Sequence, residues 1–248
     1  MIDILPEIIV TASALIFGSF VLSSAGFGIA IAASPLMLII LDAKTTVVVI
    51  NTVSLAVFIF MIVQNRSQVR FREMMWPISF GILGVPLGLL ILDFISSTLL
   101  GISISALIIG LGIYVGFYRS HTFISNPFSF NLISFVVGAL LTSTGIGGPL
   151  MAIAAVSRNW ERDSLRGSLS LYYLAVEGTA VAGYIFSGMF SQEVALLTAV
   201  GIVPALIGFA LATLVVKKVA EDQFRTYLLA VIISAGLISF AKEIGTSF

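Results

Sequence analysis

The sequence predicts an all-α, polytopic membrane protein made of two inverted-topology repeats, each a glycine-broken re-entrant helical hairpin plus three transmembrane helices. Three observations predict it. Of 248 residues, 59% are hydrophobic and 10% charged, where a soluble domain is nearer a quarter charged; mean hydropathy is +1.15. Apolar runs at 47–63, 74–92, 99–117, 169–190, 194–216 and 227–240 approach or reach the roughly 20 residues that a bilayer crossing needs. Two short breaks, Ser23-Ser24-Ala25-Gly26-Phe27-Gly28 and Ser143-Thr144-Gly145-Ile146-Gly147-Gly148-Pro149, lie about half a chain apart. Helices interrupted at matching places in two halves point to a substrate site. Backbone freed in a bilayer persists only where protein or a water-lined cavity satisfies it.

Taken in order, the first repeat is expected over 1–119, with a hairpin at 6–41 and helices at 45–64, 74–92 and 98–118. A polar linker, 120–129, carries turn chemistry at Asn126-Pro127. The second repeat, 130–248, has a hairpin at 130–158 and helices at 164–188, 193–216 and 224–241. Gly26 and Gly28 match Gly145 and Gly147, the helix with Gly84, Pro86 and Gly88 matches that with Pro204 and Gly208, and Gly112 falls against Gly236. Partner spacing drifts from 119 to 124 residues, as small loop insertions produce. The N-terminus carries Asp3 and Glu7 and no base; a cleavable signal peptide wants a positive start, so the first apolar run is read as part of the mature fold.

Positive charge decides the topology. If each broken segment crossed the membrane once, Arg66, Arg70, Arg72, Arg119 and Lys242 would lie inside and seven basic residues outside. If each is a hairpin that leaves by the face it entered, Arg158, Arg162, Arg166, Lys217, Lys218 and Arg225 move inside and Lys242 moves out. The count becomes ten inside against two outside. Both termini are then extracytoplasmic. Hairpin arms of about 12–17 residues run roughly 18–25 Å, so two hairpins from opposite faces would meet near the middle of a core about 30 Å thick.

There is no cysteine, which excludes disulfide and thiol chemistry, and a net charge of zero argues against a nucleic-acid partner. His121, the lone histidine, sits in the linker and reads as a solvated loop residue. No metal set can be built around it, and no cofactor is expected. With no histidine in a span and no facing carboxylate pair, the chain does not read as an enzyme.

Five stretches in order resemble the TauE/SafE family of sulfite and organosulfonate exporters. They are Gly26-Phe-Gly-Ile-Ala-Ile-Ala-Ala-Ser-Pro35-Leu-Met, Arg66-Ser-Gln-Val-Arg70-Phe-Arg72-Glu73, Thr144-Gly-Ile-Gly-Gly-Pro149-Leu, Asn159-Trp160-Glu-Arg-Asp-Ser-Leu-Arg166-Gly-Ser-Leu and Phe224-Arg225. The resemblance implies secondary transport of a small anion (sulfite, an organosulfonate or a related sulfur oxyanion) across the bacterial cytoplasmic membrane, with export the expected direction. An anion channel and a carrier of small organic carboxylates are the alternatives, and a passive assembly subunit is a further class.

The expected partners are that anion and the lipid bilayer; a homodimer is admitted by the reading. At the breaks, helices starting at Gly28 or Pro149 present unpaired N–H groups and a positive dipole end of about half a charge. Ser23, Ser24, Gly26 and Gly28, and Ser143, Thr144, Gly145, Gly147 and Gly148, are therefore substrate-binding candidates, the hydroxyls adding donors beside the amides. The plainer alternative is that glycine and serine only let helices pack closely, as Gly84, Gly88, Gly110, Gly112 and Gly116 are expected to do.

At 100° per residue, Arg166, Ser170, Tyr173, Glu177 and Tyr184 fall within about 40° of one line on the 164–188 helix. This polar stripe should face protein or a cavity. Arg166, Ser170 and Tyr173 join the binding candidates, Arg166 as an attractor at the cytoplasmic mouth or a positive-inside anchor. Glu177 lies deep in the span and is the proton-coupling candidate, the alternative being a structural acid hydrogen-bonded to a neighbouring helix. Asn51, with Thr52, is expected to line the path from the corresponding helix of the first half. Arg66, Arg70 and Arg72 read as topology anchors, and Trp76 and Trp160 as interfacial ones.

Overall fold

A computed structural model describes residues 4–25, 28–117, 126–156 and 160–215, together with 237–238, 240–242 and 245. Among them all regular structure is helical: α1 (Leu5–Ala25), α2 (Ile29–Met37), α3 (Ala43–Gln64), α4 (Phe71–Phe94), α5 (Ser97–Phe117), α6 (Pro127–Thr144), α7 (Gly148–Val156), α8 (Arg162–Phe186) and α9 (Gln192–Val215). Five of these, α1, α3, α4, α8 and α9, are long and apolar enough to cross a membrane. Their outer faces carry exposed Trp76, Leu83, Phe94, Val203 and Leu214, a surface that suits lipid. The segment 120–125 of the expected linker and most of the expected 224–241 helix, with Arg119, His121, Arg158, Asn159, Lys217, Lys218 and Arg225, lie outside the described residues.

Local chemistry sets the helix ends. Asp42 caps α3, accepting from the amides of Lys44 at 2.9 Å and Thr45 at 3.2 Å, and it accepts from Ser97 Oγ at 3.0 Å, tying α3 to α5. Partial burial pushes the Asp42 carboxyl up, but the hydrogen bonds from Thr45, Ser97 and Lys44 outweigh burial and hold it below its ordinary value. Asn126 caps α6 through the Phe128 amide at 3.0 Å, with Pro127 at the first helical position. The two breaks end on left-handed glycines, Gly28 (φ 98°) and Gly145 (φ 71°), a backbone that side chains with a Cβ rarely adopt.

The arms around the breaks are unequal. Arms of about 12–17 residues were expected on each side; instead α1 has 21 residues and α6 has 18, while α2 and α7 have 9 each. Nothing in Leu5–Ser24 or Phe128–Thr144 breaks a helix, so the first arm of each pair extends until its glycine. At 1.5 Å per residue the long arms run about 30 Å and the short ones about 14 Å.

The long arms are held by glycine-lined crossings with a helix from the other half of the chain. On α4, Gly81 lies against Gly138 of α6, Gly84 against the Phe135 carbonyl and the Ala139 amide, and Gly88 against Ala139 and Thr142. On α9, Gly201 lies against Leu15 and Thr11 of α1, and Gly208 against the Ile16 carbonyl. Small residues let such backbones touch, which is how helices associate without a hydrophobic drive in lipid. The helix α3 packs on α8 at the centre, with the rings of Phe58 and Tyr173 5.3 Å apart.

Polar residues mark two ends. At one, Lys44 Nζ donates to the Asp93 carbonyl at 2.8 Å and Lys242 donates to the Leu38 carbonyl. At the other, Arg70 pairs with Glu73 at 2.8 Å, donates to Ser164 Oγ at 3.0 Å and lies over the Trp160 ring.

A Cβ at Gly84 would lie 2.2 Å from the Phe135 carbonyl oxygen, whereas one at Gly110 would meet nothing within 4 Å. Gly84→Ala should therefore lower thermal stability by about 1–3 kcal/mol, and Gly110→Ala should leave it unchanged or slightly raised. Equal melting temperatures for the two variants would rule out the α4–α6 crossing.

Candidate functional site

The helix α8 organises the site. Its first turns are fixed by Ser164, which donates to the Gln68 carbonyl at 2.9 Å, and by Ser168, which accepts from the Arg70 amide at 3.0 Å. From there a polar stripe runs inward: Ser170, Tyr173, Glu177 and Tyr184 are buried, and Arg166 is half-buried. Each of them except Ser170 and Glu177 reaches across to one end of a broken helix.

A helix that stops inside the fold leaves carbonyls unpaired, and the helix that follows leaves amides unpaired. The structure treats these two needs differently. At the end of α1, Arg166 Nη2 donates to the Ser23 carbonyl. At the end of α6, Asn51 Nδ2 donates to the Leu141 carbonyl at 2.8 Å and to Tyr184 Oη at 2.9 Å, and Tyr184 Oη donates to the Thr142 carbonyl. The Gly145 amide also donates to Leu141 O at 2.9 Å.

The hydroxyls at the breaks serve the same purpose. Ser24 donates to Phe20 O at 2.7 Å, Ser143 to Ala139 O at 2.8 Å and Thr144 to Leu140 O at 2.8 Å, while Ser23 Oγ makes a longer bond of 3.4 Å to Phe209 O. These protons were expected to point at a ligand. They point at carbonyls instead, because a hydroxyl within a helix bonds back to the preceding turn and a helix end is short of donors. Ser170 likewise donates to Arg166 O at 2.7 Å.

The amide ends are treated differently, since at the second break the Ile146 amide donates to Thr144 Oγ1 at 3.2 Å. Gly28, the N-cap of α2, makes no side-chain cap bond. At α7, Pro149 has no N–H to satisfy, the Gly147 carbonyl accepts from Met151 at 3.1 Å, and Tyr173 Oη donates to the Gly148 carbonyl at 3.1 Å. Gly145 sits so close to the first half that an added Cβ would lie 3.2 Å from Ala30 Cβ and 3.3 Å from Asn51 Oδ1.

Both breaks open on one small cavity of about 20 Å³, on the scale of a single water. Gly28, Ile29 and Ile31 line it from the first break, and Gly145, Ile146, Gly148 and Pro149 from the second; Leu22, Leu141, Phe58, Tyr173 and Glu177 complete it. Glu177 is 3% exposed, and its Oε2 has no hydrogen-bond partner among the described residues.

Of the candidates, Gly28, Gly145, Gly148, Tyr173 and Glu177 meet at the cavity. Ser23, Asn51, Thr144 and Arg166 bind break ends behind it. Ser24, Ser143 and Ser170 turn to their own helices. Gly147 packs under the second break, where a Cβ would lie 2.8 Å from Leu141. Thr52 bonds back to Val48, and Gly26 lies outside the described residues. Phe58, Ile31 and Leu141 were missed, and no polar signal marked them. Tyr184 was on the stripe, but its partner was not foreseeable. No group of three or more metal-ligating side chains occurs among the described residues.

Helices alone among the described residues, five of them of lipid-crossing length, with a small cavity between two helix breaks, define a multi-pass membrane protein. The family model described as sulfite exporter TauE/SafE matches residues 10–238, and the chain belongs to that family of membrane transporters. No curated protein and no solved structure matches it.

Asn51 and Tyr184 act as one unit on the end of α6. Removing either leaves buried carbonyls short of donors, at about 1–3 kcal/mol each. In a double-mutant cycle of Asn51→Leu and Tyr184→Phe, unfolding in detergent should show a coupling of about 0.5–3 kcal/mol. Strict additivity would mean the two cap independently.

Proposed function

We propose that this chain is a secondary carrier that exports a small sulfur oxyanion, sulfite or an organosulfonate, across the cytoplasmic membrane. One observation carries the reading. Two helix starts, that of α2 without a side-chain cap at Gly28, open on one cavity whose wall also holds Glu177, its Oε2 without a hydrogen-bond partner among the described residues. Uncapped helix N-termini bind oxyanions, and family membership supports a sulfur oxyanion as the cargo.

The packing supports inverted repeats as the frame. If α1–α2 corresponds to α6–α7, α3 to α8 and α4 to α9, then the α4–α6 crossing and the α9–α1 crossing exchange under a single two-fold, and α3–α8 maps onto itself. In this reading the pairs α1–α2 and α6–α7 are re-entrant hairpins from opposite faces, and rocking of one repeat against the other alternates access. The bond between Lys242 and the Leu38 carbonyl favours having the chain's end and the mouth of the first hairpin on one face, which the charge count makes extracytoplasmic. Both breaks and the cavity come from one chain, so a homodimer would pair two complete sites.

Glu177 is the proton-coupling group in this scheme. Ionised, it would have no basic neighbour on the cavity wall, and a lone charge at that depth is expensive. Exchange of its proton with each transport cycle would link anion movement to the proton gradient.

The test is flux into proteoliposomes under an imposed proton gradient, using sulfite, methanesulfonate and acetate. The wild-type protein should move the sulfur anions over acetate, and Glu177→Gln should abolish the response to the gradient while the protein stays folded. A gradient response that survives the substitution defeats the coupling; preference for acetate defeats the cargo assignment. Currents of many ions per opening would mark a channel instead of a carrier.

A further inference from the structure

Five buried hydroxyls have no hydrogen-bond partner among the described residues: Thr11 and Ser19 on α1, Ser34 on α2, Thr46 on α3 and Thr198 on α9. Thr198 is 6% exposed and the other four 0%. The second hairpin shows the contrast, since Ser134, Thr142, Ser143 and Thr144 of α6 all donate within their own helix. The five lie on four helices packed on one another, α1 on α2 and α9, and α3 on α2 and α9. Backbone contact at Gly208 keeps α1 from shifting along α9 to find them partners. Leaving a buried hydroxyl bare is costly, and proteins meet such groups with internal water.

These hydroxyls form a series in depth. The helices α1, α3 and α9 begin at one end of the fold, where Glu193 senses the charges of Glu7 and Asp42. They meet at Gly201, where an added Cβ would lie 2.5 Å from Leu15, 3.3 Å from Val53 and 3.9 Å from Thr11. Counted from that crossing at 1.5 Å per residue, Thr46 is about 10 Å and Thr198 about 4–5 Å toward the helix starts. Ala33 packs on Gly18, which puts Ser34 just short of Ser19, itself about 6 Å inward of Leu15. About one turn further in, Leu22, Ile31 and Phe58 line the cavity with Glu177. Each step is one or two turns, the span of one or two waters linked at about 2.8 Å.

Charge does not interrupt the series. The helices α1, α3 and α9 carry only Glu7, Lys44 and Glu193, all at their starts, and α2 carries none. Each acid of the rim suits the start of its own helix, so the rim alone identifies nothing. The bases there are engaged, Lys44 at the Asp93 carbonyl and Lys242 at the Leu38 carbonyl. Resting on the reading of Glu177 as the proton-coupling group, we infer that Thr46, Thr198, Thr11, Ser34 and Ser19 hold a file of water that carries protons between Glu177 and the face bearing Glu7, Asp42 and Glu193. A hydroxyl both donates and accepts, so each can pass a proton along the file without holding a charge. The cavity, with room for a single water, supplies the last link to the carboxyl. The bonded hydroxyls of α6 offer no matching file, so the route serves one face.

The experiment places the full-length chain in proteoliposomes with methanesulfonate and reads two fluxes. One is driven by an imposed proton gradient; the other is exchange of labelled for unlabelled anion at equal pH, which needs no net proton movement. Thr11→Val and Thr198→Val each remove one hydroxyl and keep the side-chain shape. Each should slow the gradient-driven flux by about tenfold, the scale of one lost hydrogen-bond link, and leave exchange within about twofold of wild type. Thr11→Ser keeps a hydroxyl and should keep the gradient-driven flux. Thr142→Val, whose hydroxyl is bonded to the Gly138 carbonyl, should leave the ratio of the two fluxes unchanged.

Gradient-driven flux that either valine substitution leaves untouched, or that falls in parallel with exchange, overturns the water file while leaving Glu177 as the coupling group. Loss of that flux in Thr11→Ser, or an equal change of the ratio in Thr142→Val, overturns it as well. A wild-type chain with no response to the gradient overturns the coupling reading, and this inference with it.

Discussion

A helix that stops inside a membrane protein creates two opposite debts of hydrogen bonding, carbonyls on the ending side and amides on the starting side. The centre of this fold follows from how those debts are settled. Arg166, Asn51 and Tyr184 supply donors to the carbonyl ends, and the nearby Ser and Thr hydroxyls do the same within their own helices. Gly28, at the start of α2, makes no side-chain cap bond. The starts of α2 and α7 face one cavity, whose wall also holds the Glu177 carboxyl.

That arrangement depends on how the broken helices are held. The long arms α1 and α6 are gripped along glycine-lined seams by α9 and α4, where backbone contact leaves little freedom to slide. The short arms α2 and α7 hang from the breaks, and α7 is pinned to α8 through Tyr173. A single helix, α8, thus reaches the end of α1 with Arg166, the start of α7 with Tyr173 and the end of α6 with Tyr184. Any movement of α8 acts on both breaks together.

Much of this is legible in the sequence, and what is not has a definite cause. Composition, apolar run length and the glycine pairs are local properties, so the helical membrane class and the places of the breaks can be read directly. The stripe on α8 is legible too, because 100° periodicity needs no partner. The partners themselves are not: Arg166 meets Ser23 across 143 positions and Asn51 meets Leu141 across 90. The hydroxyls were misjudged for the same reason. A serine near a glycine turn looks available until the helix it terminates is seen to run through it, as α1 and α6 do. The length of the long arms, by contrast, has a local cause, since nothing before the glycine of either break stops its helix.

The most direct test of the account is residue-resolved amide hydrogen exchange with and without methanesulfonate. Bound anion should slow exchange at Ile29, Ala30 and Ile31 and at Gly148 and Leu150 together, since both helix starts donate to one ligand. Slowing at only one break, or at neither while binding occurs elsewhere, would contradict a single site built from two open helix ends.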